Sequence, residues 1–315
     1  MSNCLFCYQP LAANEQDFHA SCSKKIFGQP TPPELPYSEE DLEPLAKKVI
    51  QSQTAVTGVQ AKLSLHITGN QKEGNERRFT IVGLWGGYLL KPPTALYPQL
   101  PEVEDVTMHL AQLAKIKTAP HCLIRLQSGN LAFVTKRIDR TKNGKLAMED
   151  MCQLTERLTE DKYHGSYEQI AKAIQKHSVT PGLDVVNFFE LVLFSFLTGN
   201  ADMHLKNFSL LEQPGLGMTL SPAYDLVNTA LVHPADEEEM ALTLNGRKKK
   251  LTKQDFVAAM NTLKLEEKQQ EMIFNKMAKA WPQWQELIDR SFMSVEFKEK
   301  YKSLLKERMN RSFQP

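Results

Sequence analysis

Between residues 63 and 139 the chain is punctuated by short apolar runs bounded by turn residues, which predict the strands of a small sheet. The runs are Leu63–Ile67, Arg78–Val82, Tyr88–Lys91, His121–Gln127 and Leu131–Asp139, the last two joined by a Ser128-Gly129-Asn130 turn. One stretch inside this region breaks the pattern. From Val103 to Ile116 the apolar positions Val103, Val106, Leu110 and Leu113 recur at helical spacing. Beyond residue 140 helical periodicity takes over, with helices expected at Met148–Leu158 and Tyr167–His177. The run Phe188–Leu197 is hydrophobic on every face, as a helix buried in the middle of a domain must be, with Asp184 as its expected N-cap and Gly199 as its stop. A strand Asn207–Leu211, a Pro-Gly turn and a returning strand Met218–Ala223 then predict a hairpin. Thr252 with Asp255 caps a further helix, and two amphipathic helices through Met272-Ile273-Met277 and Phe292-Phe297-Leu304 complete the chain, with Trp281 and Trp284 in a packed face or at a partner surface.

This order, strands first and helices after, predicts an α+β fold of two lobes, a small β-rich one and a mostly helical one. Three segments are expected: residues 1–30 as an N-terminal Cys/His segment, 31–140 as the sheet lobe and 141–315 as the helical lobe. The prolines of Gly28–Pro36 mark a tether at the first boundary. With 315 residues the chain is long enough for one large two-lobed core. Lys plus Arg, 38, nearly balances Asp plus Glu, 37, so no overall field favours nucleic acid, and contact with DNA is expected only through a partner. No apolar run reaches bilayer length and the N-terminus lacks a basic-then-apolar leader, so a soluble, cytoplasmic protein without membrane contact is expected.

The candidate chemistry crowds the loop after the buried helix, where Asp202, His204, Lys206 and Asn207 follow Gly199. The hairpin is expected to fold Asp225 back beside Asn207. A carboxylate and an amide oxygen at one end of a hairpin suit a hard, oxygen-seeking cation such as Mg²⁺. Asp202 and Asn207 stand at the D-x-x-x-x-N spacing that separates the base from the metal-binding Asn in protein kinases, and Asp225 falls where a kinase has its second metal-binding Asp. The His-Arg before the first Asp and the Phe-Gly after the second are absent. A solvated polar loop capping a buried helix is the plainer reading of the same residues.

The stretch GNADMHLKNFSLL followed by SPAYDLVNT resembles the core signature of the HipA-like serine/threonine kinases, the toxin family of bacterial toxin–antitoxin systems. Thr57–Lys62, Tyr88–Pro92, Phe133–Arg140, Met148–Gln153 and Lys162-Tyr163 resemble further landmarks in family order, and the length is most like the short HipT form. The resemblance implies a kinase-like fold, ATP and Mg²⁺ as cofactors, Asp202 with His204 and Lys206 in the catalytic loop, and Asn207 and Asp225 on the metal. It implies that Thr57, Gly58, Gln60 and Lys62 cover the nucleotide phosphates and that Thr54 and Thr57 are autophosphorylation candidates. Lys91 would reach the phosphates and be held by Glu104, while Lys136 and Ile138 would read the adenine through main chain. An aminoacyl-tRNA synthetase as substrate and antitoxin proteins as partners are implied in the same way. A pseudokinase-like regulatory subunit and a small-molecule phosphotransferase are the competing readings.

A second constellation stands apart. Cys4-x-x-Cys7 and His19-x-x-Cys22 are two ligand pairs at zinc-like spacing, and a structural Zn²⁺ would let a short segment hold its shape without its own core. Small cysteines packed as hydrophobes beside Phe6, Phe18 and Phe27 are the alternative.

Overall fold

The structure, a computed structural model, describes residues 2–42, 44–45, 62–69, 77–82, 85–233 and 237–313. Thr54, Thr57, Gly58 and Gln60 lie outside the described residues. The chain divides into two units, one of Met1–Asp105, Ala119–Ile138 and Arg290–Phe292, the other of Val106–Thr118, Asp139–Asp289 and Met293–Pro315.

In the first unit, helix α1 (Ala20–Phe27) is followed by strands β1 (Leu63–Thr68), β2 (Arg78–Val82) and β3 (Tyr88–Lys91), helix α2 (Leu100–Leu113), and strands β4 (His121–Arg125) and β5 (Leu131–Lys136). The division between the units falls inside α2, after Asp105. The five strands form one antiparallel sheet in the order β2-β1-β3-β5-β4. Its register sets Leu65 opposite Tyr88 and Leu90 opposite Val134. These side chains share a core with Leu5, Phe27, Phe79 and Leu123. Period-two alternation therefore reads correctly in β3, where Tyr88 and Leu90 enter that core. The N-terminal segment is tied to the edge of the sheet, where the Leu123 N–H of β4 donates to the Leu5 carbonyl at 3.1 Å.

Besides the end of α2, the second unit has a small hairpin, β6 (Arg140–Thr141) and β7 (Gly144–Lys145). Strand β8 (Met148–Asp150), α3 (Met151–Leu154), α4 (Tyr167–His177) and α5 (Pro181–Leu197) follow. Next come β9 (Ser209–Gln213), β10 (Gly217–Leu220), α6 (Thr229–Val232), α7 (Lys253–Thr262), α8 (Glu267–Arg290) and α9 (Val295–Phe313). Helix α5 is the centre of this unit, as its uniform hydrophobicity requires: Phe188 meets Tyr167 and Phe208, Phe194 meets Trp284, and Phe196 meets Phe256. Each such ring contributes about 1.5–3 kcal/mol by leaving water. Trp284 is fully buried, and its indole N–H donates to the Leu110 carbonyl at 2.8 Å.

Three sequence expectations shift. The helix expected over Met148–Leu158 is only Met151–Leu154, because Met148–Asp150 pairs with β9 and Asp150 then caps the helix in a box with Gln153. Asp184 is not an N-cap. Helix α5 starts earlier, with Pro181 at its first turn, and the Asp184 carboxylate instead accepts from the Ser178 and Thr180 hydroxyls and from the Leu220 N–H of β10. The hairpin strand begins at Ser209, because Leu205–Asn207 forms a turn of 3₁₀ helix first.

Candidate active site

The catalytic-loop candidates all belong to the second unit, and the way α5 ends explains their geometry. Gly199 follows α5 at φ 72°, and a Cβ there would lie 2.8 Å from Asn228 Oδ1 and 3.0 Å from a Leu304 methyl. A side chain is excluded on both grounds, so the sharp exit from the helix is built into this glycine. The exit is pinned by Thr229, whose hydroxyl donates to the Gly199 carbonyl at 3.1 Å and accepts from the Ala201 N–H at 2.8 Å. Tyr167 secures the far side from α4, its buried hydroxyl donating to the Met203 carbonyl at 3.0 Å.

Within the loop, Asn207 is buried and its Nδ2 donates to the Asp202 carbonyl at 2.9 Å. With the amide nitrogen engaged, the amide oxygen faces the opposite side, where it is available as a hard ligand. Asp202 itself is half-buried, and its Oδ1 accepts from the Tyr163 hydroxyl at 2.6 Å. His204 lies beneath Tyr163, the two rings edge to face at 5.0 Å. Burial pushes the His204 imidazole below its ordinary value, against the opposing pull of the nearby Asp202 and Asp225 carboxylates. Its Nδ1 is buried and has no hydrogen-bond partner among the described residues.

Asp225 has φ 60°, the left-handed region that a non-glycine residue enters only when its surroundings impose it. Two neighbours do so. The Ala223 N–H donates to the Lys117 carbonyl at 2.8 Å, and the Tyr224 hydroxyl donates to the Lys206 carbonyl at 3.1 Å and meets the Ser209 hydroxyl. The return strand is thereby held to the loop that carries Asp202 and Asn207. Lys206 is tied elsewhere, its ammonium 2.7 Å from an Asp150 oxygen. It therefore steadies the start of α3.

In the first unit, Lys91 ends β3 and is 3% exposed, while Glu104 on α2 is 1% exposed. The two form a buried ion pair, with the ammonium also 5.5 Å from the centre of the Phe133 ring. Glu104 thus holds Lys91, as the sequence led one to expect. Lys136 is exposed, and its N–H donates to the Pro120 carbonyl at 2.8 Å while the Arg137 N–H donates to the Gly87 carbonyl at 2.9 Å. Ile138 and Lys62 are both half-buried. Two participants were not legible as such in the sequence: Tyr163 as a partner of Asp202, and Asp150 as the anchor of Lys206. Both contacts cross a gap of about forty or more residues in the chain, which no local spacing signals.

A family model described as HipA-like C-terminal domain matches residues 54–285. The chain belongs to this HipA-like family. Among its relatives, the candidate kinase Y4dM of Sinorhizobium fredii is 32% identical over 62% of this chain and 49% of its own length. A candidate kinase of Haemophilus influenzae is 29% identical over 73% of this chain and 69% of its own. The chain thus spans about half the length of the first relative and about two thirds of the second. HipA of Shewanella oneidensis MR-1, solved with HipB and operator DNA, superposes with a TM-score of 0.68 at 22% identity, over 85% of this chain and 70% of that one. The proinflammatory kinase CtkA of Helicobacter pylori gives 0.55 at 17% identity, over 74% and 87% respectively. These HipA-like and CtkA likenesses establish the mixed helix and sheet fold, with an antiparallel sheet in one unit and a helical second unit. No helix among the described residues is long and apolar enough to cross a membrane.

Proposed function

We propose that this HipA-like chain is an ATP-dependent protein kinase that phosphorylates serine or threonine hydroxyls, and that it acts as the toxin of a toxin–antitoxin pair in the cytoplasm. The observation that carries the reading is the loop geometry. Asn207 bonds back to the Asp202 carbonyl across the D-x-x-x-x-N spacing, Tyr224 ties the segment of the left-handed Asp225 to the Lys206 carbonyl, and both carboxylates act on His204. Asp202 is assigned to orient the attacking hydroxyl and accept its proton. Asn207 and Asp225 offer only oxygen ligands, a donor set that fits Mg²⁺. When bound there, Mg²⁺ would neutralise charge on the β- and γ-phosphates. Lys91, steered by Glu104, is assigned to the nucleotide phosphates, with Lys62 and His204 as secondary contacts. Thr54 or Thr57 is the expected autophosphorylation site, and added phosphate there would oppose nucleotide phosphates by charge. The HipB and operator DNA bound to the Shewanella protein support an antitoxin partner, through which DNA would be reached; an aminoacyl-tRNA synthetase is the proposed substrate on the family resemblance alone.

The test is phosphoryl transfer from γ-labelled ATP with Mg²⁺ and cell lysate, comparing the wild type with Asp202→Asn and Asp225→Asn. Each variant should keep its melting temperature and lose on the order of 10²–10³-fold in rate, the scale for removing one fixed electrostatic contact in a transition state. Folded variants that transfer at the wild-type rate would refute the assignment. Label confined to small molecules would identify a small-molecule phosphotransferase, and nucleotide binding without any transfer a pseudokinase.

A further inference from the structure

The N-terminal cysteines are arranged around a point. Cys4, Cys7, His19 and Cys22 place their Sγ and ring nitrogen atoms within 4.8 Å of one another, although they come from the first loop, from the residue before α1 and from α1 itself. His19 Nδ1 lies 3.4 Å from Cys7 Sγ and 3.7 Å from Cys22 Sγ. A tetrahedral ion with metal–sulfur bonds of about 2.3 Å and metal–nitrogen bonds of about 2.0–2.1 Å has sulfur–nitrogen edges of about 3.5 Å, and these separations bracket that length. The His19 tautomer is set as well. Nε2 is 3.0 Å from the Pro10 carbonyl, which can only accept, so Nε2 carries the proton and Nδ1 presents its lone pair to the three sulfurs. Cysteines packed merely as small hydrophobes would not require a fixed imidazole tautomer.

We propose that these four residues form a structural zinc site of three thiolates and one neutral imidazole, and that it locks the N-terminal segment onto the sheet and α2. Binding replaces the protons on the cysteine thiols, which pass to solvent, and no electron transfer is involved. The mechanical consequence follows from Tyr8. This residue directly succeeds Cys7, has φ 60°, is fully buried, and donates from its hydroxyl to Asp105 Oδ2 at 2.7 Å. The other oxygen of Asp105 is 2.7 Å from His121 Nδ1 on β4. Metal ligation through Cys4 and Cys7 holds the turn that aims Tyr8, and Tyr8 with His121 clamps α2 next to Glu104. Only the link from Glu104 to catalysis rests on the kinase reading; the zinc site and the clamp do not.

The experiment measures metal directly. Full-length protein purified with zinc in the medium and then dialysed should retain one equivalent per chain by plasma mass spectrometry, and exchange into Co²⁺ should give thiolate charge-transfer and tetrahedral ligand-field bands. The double variant Cys7→Ser/Cys22→Ser should lose both signals, and Cys152→Ser, outside the site, should retain them. Wild type stripped with a chelator and an organomercurial, then given back zinc and reducing agent, provides the readout that needs no variant. Amide exchange over α2 should rise on stripping and return on zinc addition, and Tyr8→Phe should raise it with metal content unchanged. Wild type that holds no zinc, full zinc in the double variant, an intact mass lighter by a disulfide's two hydrogens, or α2 exchange indifferent to zinc would overturn the proposal.

Discussion

Lys91 with Glu104 in the first unit and Asp202 with its neighbours in the second are opposite solutions to holding charge in place. Lys91 and Glu104 are withdrawn from water, at 3% and 1% exposure, and are positioned by two rigid elements, a strand end and a helix. Removing both charges from water is expensive, and their mutual attraction offsets it only while the pair is intact. In the second unit the carboxylates of Asp202 and Asp225 stay half-buried, and the Lys206–Asp150 pair beside them keeps 36% and 16% exposure. Here position comes from backbone: a glycine exit, a left-handed aspartate, and hydroxyls and amides bonding to carbonyls. The first arrangement is a fixed cation whose loss endangers the fold. The second leaves its carboxylates hydrated and reactive, so its loss should endanger only chemistry.

The sharpest test of that contrast is Glu104→Gln. Removing the carboxylate beside a buried ammonium should cost about 3–5 kcal/mol of stability, read as a lowered denaturation midpoint, whereas the Asp202 and Asp225 variants described above should leave the midpoint alone. Equal destabilisation by all three would erase the distinction. Gly199→Ala should come next, at about 1–3 kcal/mol, since alanine is strained at φ 72° and its methyl would displace Asn228, which caps α6. Activity should fall further than that stability loss explains, because the glycine sets where the catalytic loop leaves α5.

Tyr163→Phe should act in the other direction. Its hydroxyl occupies Asp202 Oδ1 as an incoming alcohol would, and a hydrogen bond to a charged group is worth about 1.5–3 kcal/mol when released. Basal transfer should therefore rise several-fold with stability nearly unchanged; a fall in rate would make Tyr163 a positioning residue instead. The smallest effect belongs to His204. Because burial lowers its pKa in the folded protein, protons bind the unfolded chain first. Stability should decline as pH falls through the ordinary histidine value of 6.5 and level off once pH is below the folded value. His204→Gln should remove that part of the pH profile, which urea titrations across the range would detect.

The legible part of this protein is what depends on neighbours in sequence. The buried character of α5 follows from apolar residues on every face, the strands of the sheet from short β-forming runs, and the α7 cap from Thr252 and Asp255. The clustering of polar candidates in the loop after Gly199 is visible in the sequence, because its residues are only a few positions apart. Misplaced boundaries had a common cause: Met148–Asp150 has a pattern compatible with a helix, but pairing with β9 claimed it as strand, and Asp184 was drawn from capping into bonding Leu220 of β10. Local propensity yields to a partner that only folding supplies.

Contacts over long separations belong wholly to the tertiary structure. Spacing alone pairs Cys4 with Cys7 and His19 with Cys22, but cannot say that the pairs meet or that His19 turns Nδ1 toward the sulfurs. Nor can it say that Tyr163 finds Asp202 or that Tyr8 reaches Asp105. The physical reason is that hydrophobic periodicity tells each segment which face to bury, a one-dimensional property. Which buried or polar groups then touch is settled by sheet register and helix packing, where a shift of one residue exchanges every partner.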